Sequence, residues 1–310
     1  MWRNLWYNGG KYKKKGFVVA MTANLWFDGA NTAKFTPLGT VHKGQDGAIW
    51  NGYVFRFNGK GQCWVYDLTT MDPVDEFTLD KADILCPHSN AAFFGSEYFA
   101  QGDEFPILYS NIYNNYPGQL AGTCCAYRIT RKGNAFSSRL VQVIRVGFVD
   151  TPLWRSEMGK DVRPYGNFVM DGQNLWAYVM RDETRSTRFF RFPLPKITEG
   201  KPDANWGVPV VTLAEQDISE QFDGCYVNFI QGAVCHDGLI YSVEGFTVPN
   251  QRNATPALRI FDTKTQKQVL HLDLVALGLT IEPEFVEVYD GQFYYADHDG
   301  NFYSVIFGKE

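Results

Sequence analysis

The chain has 310 residues and a formal net charge of −5, from 34 acidic and 29 basic side chains. This acidic balance argues against a duplex nucleic-acid partner, which requires a basic footprint, and the sequence lacks the run of roughly 18 or more apolar residues that a transmembrane helix needs. Aromatic residues make up 16% of the chain and are accompanied by 29 glycines, so the composition favours strands and hairpins over helices.

Residues 1–35 form an N-terminal extension that precedes the repeated part of the chain. They contain eight aromatic side chains and the basic cluster around Lys13. The cluster and the short apolar segment after it resemble a secretion signal only faintly, and we expect no cleavage. The extension is predicted either to pack against the rest of the chain as an extra hairpin or to bind an assembly partner.

A tight-turn glycine recurs along the rest of the chain. The clearest copy lies between Gln231 and Leu274, where four short β-rich segments follow one another and Asp237-Gly238 supplies the first hairpin turn. Bulky residues three positions after each glycine are predicted to fill the core between sheets. The five turn glycines are Gly52, Gly95, Gly172, Gly238 and Gly291.

A four-stranded antiparallel sheet that recurs five times is typical of a five-bladed β-propeller. The sequence therefore predicts an all-β fold, with a β-sandwich or two stacked β domains as the alternative. The last repeat shows only three strands, and we expect the segment 36–42 near the N-terminus to supply the fourth and close the ring. The predicted blades span about 45–79, 88–146, 165–213, 231–275, and 284–307 plus 36–42.

Polar residues begin the innermost strand of every predicted blade. Because side chains alternate along a strand, the residue two positions later lies on the same side, and five blades would bring these groups together around the channel mouth. A concave site with convergent polar groups is the default ligand-site hypothesis, and a water-filled structural ring is the alternative. The predicted ligand-binding residues are Gln45, His88, Tyr165, Gln231, Glu284, Asn90 and Asn167.

The long loops are expected on the same face as these strand starts, since links between second and third strands return there. Flat aromatic side chains in these loops suit sugar rings or other planar partners. The loop aromatics are Trp154, Tyr113, Tyr116 and Phe246, and the charged residues expected to flank the ring are Arg163, Asp161, Glu282 and Asp103.

Signals for catalysis are weak. His88 and Glu284 could act as a general acid and base, but the sequence has none of the common hydrolase, metalloprotease or nucleotide-binding motifs. Asp297-His298-Asp299 is a local cluster that we interpret as the start of a hairpin turn rather than a metal site. No catalytic residue, metal ion or cofactor is therefore predicted.

Six cysteines are present, and none has the spacing of a zinc site. The adjacent Cys124 and Cys125 would point to opposite faces of a strand. We expect the cysteines to be mostly reduced, which fits assembly in a cytoplasm.

The fourth repeat resembles one element of glutamine-cyclotransferase-type glutaminyl cyclases, a family of five-bladed propellers. The shared pattern is F-x-Q-G at Phe229 to Gly232, followed by Asp237-Gly238 and Tyr241. In that family an acidic residue directly after the tyrosine contributes to the active site, whereas here Ser242 follows Tyr241 and Glu244 is displaced by two positions.

The overall pattern is also similar to receptor-binding propellers of phage tails and to teichoic-acid-associated propellers. That resemblance implies a non-enzymatic binding module on a virion or extracytoplasmic surface, which recognises a glycan or a protein through its loop-rich face. A cytoplasmic location stays open. The alternative is a propeller enzyme of glutaminyl-cyclase or lyase type that uses Glu284 or Glu244 with His88 and Gln231.

Overall fold

The computed structural model describes residues 32–112, 120–155, 165–180, 187–224 and 229–308, apart from the side chain of Tyr165. Within this part of the chain, 22 strands form five β-sheets. Nearly all of the N-terminal extension lies outside the described residues. No helix among the described residues is long and apolar enough to cross a membrane.

The first strand, β1 (Ala33–Thr40), precedes blade one. Blade one consists of β2 (Gly47–Trp50), β3 (Tyr53–Phe57), β4 (Gln62–Asp67) and β5 (Pro73–Thr78). A short helix, α1 (Ala82–Leu85), leads to blade two. The first four strands of blade two are β6 (Ala92–Phe94), β7 (Leu108–Ile112), β8 (Thr123–Lys132) and β9 (Ala135–Val146).

Blade three begins with β10 (Tyr165–Asp171), β11 (Asn174–Met180) and β12 (Arg188–Pro193). The chain then forms β13 (Lys201–Pro202), β14 (Pro209–Leu213), a 3₁₀ turn (Glu215–Asp217) and β15 (Glu220–Asp223). Blade four contains β16 (Ile230–His236), β17 (Leu239–Glu244), β18 (Ala257–Asp262) and β19 (Lys267–Asp273), followed by a 3₁₀ turn (Val275–Leu277). Blade five contains β20 (Pro283–Tyr289), β21 (Gln292–Asp297) and β22 (Asn301–Phe307).

The N-terminal strand closes the ring, as predicted. β1 pairs antiparallel with β22 and completes a four-stranded sheet in the order β1-β22-β21-β20. The strand covers Ala33–Thr40 instead of 36–42. Pro37 lies within it, and a proline is tolerated there because β1 is an edge strand whose outer side makes no ladder hydrogen bonds.

The inner hairpins of blades one, four and five have the tight turns that their Asn-Gly or Asp-Gly pairs predict. In blade four, Asp237 and Gly238 have φ values of 50° and 76°. Two consecutive positive φ values define the turn whose twist matches that of the flanking strands. Blade three also turns tightly at Gly172, where φ is 59°.

Blade two departs from the prediction. Gly95 is not part of a tight turn: its N–H donates to the carbonyl of Ile107 at 2.7 Å, and residues 96–106 form a long loop between β6 and β7. Tyr98, predicted to be a core residue, is 39% exposed in this loop. The loop lies on the face opposite the strand starts, since β6 has already crossed the disc. We predicted the loop Gln101–Gly122 on the loop-rich face, and this placement is wrong for residues 101–106.

Blade two also gains strands from the neighbouring repeat. β14, which we predicted as the outer strand of blade three, pairs parallel with β9 and carries β13 with it, so the sheet has six strands. The outer strand of blade three is instead β15. β9 has twelve residues and pairs with β14 through Val143–Val146, so its length leaves an edge for β14 to join.

Apolar clusters fill the five spaces between neighbouring blades. Phe55, Leu175 and Tyr241, all predicted core positions, are fully buried in these clusters. The packing is strongly aromatic, which accounts for the high aromatic content of the chain. The five sheets are therefore held apart at fixed angles, and the inner strands keep a fixed position around the axis.

Candidate ligand-binding site at the axial mouth

The starts of the innermost strands surround a cavity of about 570 Å³ on the loop-rich face. Five of the seven residues predicted from the sequence line it, namely Gln45, His88, Asn90, Gln231 and Glu284. They come from blades one, two, four and five. The remaining wall is formed by Phe229, Phe246, Thr247, Asn250, Gln251, Arg252, Glu282 and His298.

Asn167, another of the predicted residues, does not line this cavity. Asn167 is fully buried beneath it and donates hydrogen bonds to the carbonyls of Asn90 (3.2 Å) and Gln231 (2.5 Å). Its own carbonyl accepts from Asn111 at 2.6 Å. Asn167 therefore ties the inner strands of blades two, three and four together. Tyr165 begins β10, but its side chain lies outside the described residues.

An amide network holds the polar wall in place. Asn90 donates to the side-chain carbonyl of Gln231 at 2.7 Å, and the Gln231 amide donates to Glu282 (2.5 Å) and to the Gly245 carbonyl (3.3 Å). Gln231 is 5% exposed. Because both the oxygen and the nitrogen of the Gln231 side-chain amide are hydrogen-bonded, its neighbours fix the orientation of the amide. The same hydrogen bonds hold the Glu282 carboxylate at the cavity wall.

Gly232, beside Gln231, is required by close packing at this point. A Cβ at this position would lie 2.2 Å from the backbone oxygen of Glu284. Only glycine lets β16 approach β20 this closely. The Gln-Gly pair therefore combines a polar group at the cavity with a close contact between blades.

Glu284 and His298 form the most polarised contact of the cavity. Glu284 is 1% exposed, and its Oε1 accepts from Gln45 Nε2 at 3.1 Å and lies 3.0 Å from His298 Nδ1. Burial raises the pKa of Glu284, whereas the hydrogen bond to Glu284 raises the pKa of His298. Burial, together with the charge of Glu284, raises the pKa of Glu282 to about 7. The Glu282 carboxyl group is thus near its protonation point at neutral pH.

His88 differs from His298 in its ionisation. Burial lowers the pKa of His88 to about 4, so its imidazole is neutral at pH 7. The imidazole in contact with Glu284 is that of His298, and not that of His88 as the predicted acid–base pair required. His88 packs closely on Gly59, where a Cβ would lie 2.9 Å from its Nδ1.

An arginine side chain covers the aromatic part of the cavity wall. The guanidinium of Arg252 lies 4.5 Å from the ring centroid of Phe229 and 5.5 Å from that of Phe246. Asn250 shapes this loop, because its side-chain oxygen accepts from the backbone N–H groups of Arg252 (3.1 Å) and Ala254 (3.2 Å). Phe246 was expected in this role from the sequence, whereas Arg252 and Asn250 were not.

Several residues expected near the ring lie elsewhere. Trp154 is fully buried and stacks on Phe190 with ring centroids 5.9 Å apart, so it is a core residue. Asp103 lies in the loop on the opposite face and binds Arg128. Glu244 is 1% exposed and pairs with Arg259 at 2.7 Å, away from the cavity wall. Tyr113, Tyr116, Asp161 and Arg163 lie outside the described residues.

Two ionisable side chains lie buried beneath the cavity. The sequence analysis missed both of them. Asp46 is fully buried and accepts from the backbone N–H groups of Ala92 (3.2 Å) and Ala233 (3.3 Å), which joins blades one, two and four. Burial raises its pKa well above the usual range. Arg56 is also fully buried and donates to the carbonyls of Gly44 (2.9 Å) and Asp297 (2.8 Å). The contacts of Asp46 with blades two and four place it on the axis, between the cavity and the opposite end.

The fold and this cavity define the molecule as a five-bladed β-propeller with a polar axial pocket on its loop-rich face. The sequence matches no protein-family model and no curated protein. Among solved structures it is similar to a glutaminyl cyclase from Myxococcus xanthus, with 12% identity, a TM-score of 0.49, and coverage of 88% of this chain and 95% of that one. It is also similar to BamB from Moraxella catarrhalis, with 9% identity, a TM-score of 0.34, and coverage of 88% and 60%. No activity follows from likenesses at this level.

Proposed function

We propose that this propeller is a non-enzymatic binding module that takes a glycan in the axial cavity. The supporting observation is the composition of the cavity wall, in which amides, carboxylates and two phenylalanine rings converge on one space of about 570 Å³. Carboxylates accept hydrogen bonds from sugar hydroxyls, amides both donate and accept, and aromatic faces pack on sugar rings. Sites of this size with a few fixed polar groups suit small ligands or one end of a longer chain.

The wall is preorganised, which favours binding. Asn90, Gln231 and Glu282 hold one another through hydrogen bonds of 2.7 and 2.5 Å. Groups that are already ordered lose little conformational freedom when a ligand arrives. A virion or extracytoplasmic surface remains the setting that we propose for such a module, on the architectural resemblance alone.

A glycan array with the purified full chain tests this proposal. The double variant Gln45→Ala/Arg252→Ala removes one polar and one cationic wall group, and we expect it to lose the bound glycans or to bind them about tenfold more weakly. The matched control is Gln101→Ala, in an exposed turn on the opposite face, which should bind as the parent does. Equal binding by the double variant and the parent would remove the cavity from consideration as the glycan site.

A second function is favoured by one contact. Glu284 and His298, 3.0 Å apart, border the cavity and could serve as a general base and its charge partner. Together with the resemblance of the fourth repeat, this contact supports an enzyme of glutaminyl-cyclase type that uses Glu284 with Gln231. Incubation with peptides that begin with glutamine should then release ammonia, and His298→Gln should slow the release. Absence of ammonia at high protein concentration would end this alternative.

A further inference from the structure

We propose that Glu282, Glu284 and His298 form a binding site for one divalent transition-metal ion. One ligand atom of each residue lies within 4.8 Å of those of the other two. All three residues border the axial cavity. The site goes beyond the proposed glycan function, because it can exist whether or not a glycan binds in the same cavity.

The backbone brings the three ligands together. Glu282 directly precedes β20, and Glu284 is the second residue of the strand, at an irregularity of the β20–β21 register between Pro283 and Phe285. One carboxylate oxygen of each lies within 4.8 Å of the other. His298 follows β21, the antiparallel neighbour of β20, and its N–H donates to the Glu282 carbonyl at 2.7 Å. This backbone hydrogen bond places His298 next to the two carboxylates.

A buried acceptor without a hydrogen-bond partner favours the binding of a cation at this site. Glu284 is 1% exposed, and its Oε2 has no hydrogen-bond partner among the described residues, while Oε1 accepts from Gln45 and His298. A buried carboxylate oxygen left unpaired costs free energy. A cation bound between the three residues would satisfy it.

Hydrogen bonds from two glutamine amides already orient both carboxylates. The Gln231 amide donates to Glu282 at 2.5 Å, and the Gln45 amide donates to Glu284 at 3.1 Å. Such hydrogen bonds orient ligating carboxylates and are a regular part of protein metal sites. Arg56 contributes a positive charge behind Glu284, but its hydrogen bonds go to two backbone carbonyls.

One imidazole and two carboxylates favour Zn²⁺, Mn²⁺ or a similar ion over Ca²⁺ and Mg²⁺, which prefer oxygen ligands alone. Three protein ligands leave at least one coordination position free, and the cavity supplies the space for it. A hydroxyl or carboxylate of a ligand in the cavity could fill that position. The neutral imidazole is the ligating form, so binding replaces the proton between His298 and Glu284.

Isothermal titration of tag-free, EDTA-treated protein with ZnCl₂, MnCl₂ and CaCl₂ tests the proposal. We expect one equivalent of Zn²⁺ to bind, and His298→Gln and Glu282→Gln to weaken binding about tenfold or more each. Both residues are partly exposed, so these variants avoid the buried Glu284. The matched control is His236→Gln, because His236 also contacts a carboxylate (Asp237, 3.5 Å) but lies at the other end of the axis. Cys86→Ser controls for the exposed thiol.

The proposal is overturned if no Zn²⁺ or Mn²⁺ binds at about 100 μM, a concentration far above that required by a built site. It is also overturned if His298→Gln binds as the parent does, or if Cys86→Ser abolishes binding. Absorption of the Co²⁺-loaded protein gives a second measurement, since loss of an imidazole ligand changes its visible bands. Glycan binding by the EDTA-treated protein separates the two proposals: its persistence without metal binding leaves the glycan function standing, and metal binding without glycan recognition leaves the metal site standing.

Discussion

The two ends of the central axis hold buried carboxylates in different ways, although one strand supplies both. Glu284, at the start of β20, meets side chains only, namely Gln45 and His298. Glu287, three positions later, accepts from the backbone N–H groups of Ile49 (3.4 Å) and Val288 (2.9 Å). A carboxylate held by side chains can exchange its partners for a ligand, whereas one held by the backbone is part of the frame.

The surroundings of the two carboxylates follow the same division. The Glu284 end opens into the polar cavity, and the Glu287 end borders a smaller cavity of about 420 Å³ whose wall includes Trp50, Phe93 and Met170. Tight turns close the Glu287 end, except in blade two, and long loops extend the other. We call the Glu284 end, where we propose that a ligand binds, the recognition end, and we call the Glu287 end the structural end.

The largest effect on stability should come from Asp46, which lies on the axis between the two ends. Asp46→Ala removes the acceptor of the Ala92 and Ala233 N–H groups. We expect the free energy of unfolding to fall by about 4 kcal/mol, since each buried donor left unpaired costs roughly 1–3 kcal/mol. Asp46→Asn keeps an acceptor oxygen and should lose less than half as much. Urea denaturation of both variants measures this, and equal losses would show that the oxygen is not what matters.

The stability of the protein should depend on pH through Glu287, the buried carboxyl group at the structural end. Burial raises the pKa of Glu287 from the model-compound value of 4.5 to about 8. The folded chain therefore keeps a proton that the unfolded chain releases, so this contribution to stability is complete below pH 4.5 and declines as the pH rises to 8.

Glu287→Gln should remove that decline, with a difference of roughly 3–4 kcal/mol between pH 5 and pH 8. Thermal or urea denaturation of parent and variant across this range measures it. Parallel pH profiles for the two proteins would contradict a raised pKa at this end of the axis.

The recognition end should contain two histidines of opposite behaviour. Burial lowers the pKa of His88 to about 4, and the bond to Glu284 raises that of His298 above its usual value. In metal-free protein at pH 6, NMR of the imidazole nitrogens should find His88 neutral and His298 mainly protonated. The variants His88→Gln and His298→Gln assign each signal to its histidine. Equal pKa values for the two histidines would contradict this prediction.

The smallest effect is expected in the aromatic loop. Asn250→Ala removes the acceptor that orders Arg252 and Ala254, and we expect a loss of about 1 kcal/mol in global stability. Hydrogen exchange should accelerate at residues 246–254 and stay unchanged in β16 and β20. Faster exchange in those strands as well would mean that the loop supports the frame and not the recognition end alone.

Local turn chemistry made most of the architecture predictable. Asp237-Gly238 and its counterparts determine where the inner hairpins turn, and closure of the ring followed from the three-stranded last repeat. Blade two defeated the same rule, because Gly95 continues the strand ladder toward Ile107 and the turn expected beside it is a long loop. The transfer of β14 to blade two depends on the free edge of β9, which no local pattern in the sequence records.

The register of the inner strands also predicted five residues of the cavity wall. Alternation along a strand indicates a side but not how deep a residue lies, which is why Asn167 was expected at the cavity and lies beneath it. Arg252 and Asp46 were missed, and His298 was assigned to a turn, for a related reason. Each acts on residues of another strand or blade, and spacing along the chain does not encode such contacts.

The pairing of β1 with β22 also constrains the order of folding. The two strands are separated by almost the whole described chain, so their contact is among the most non-local that this molecule makes. During synthesis β1 cannot form its hydrogen bonds to β22 until the ribosome has released Asn301–Phe307. Folding of this propeller therefore depends on fast pairing of β1 with β22 at a late stage. We expect chaperones that cover unpaired strands to raise the yield of folded protein.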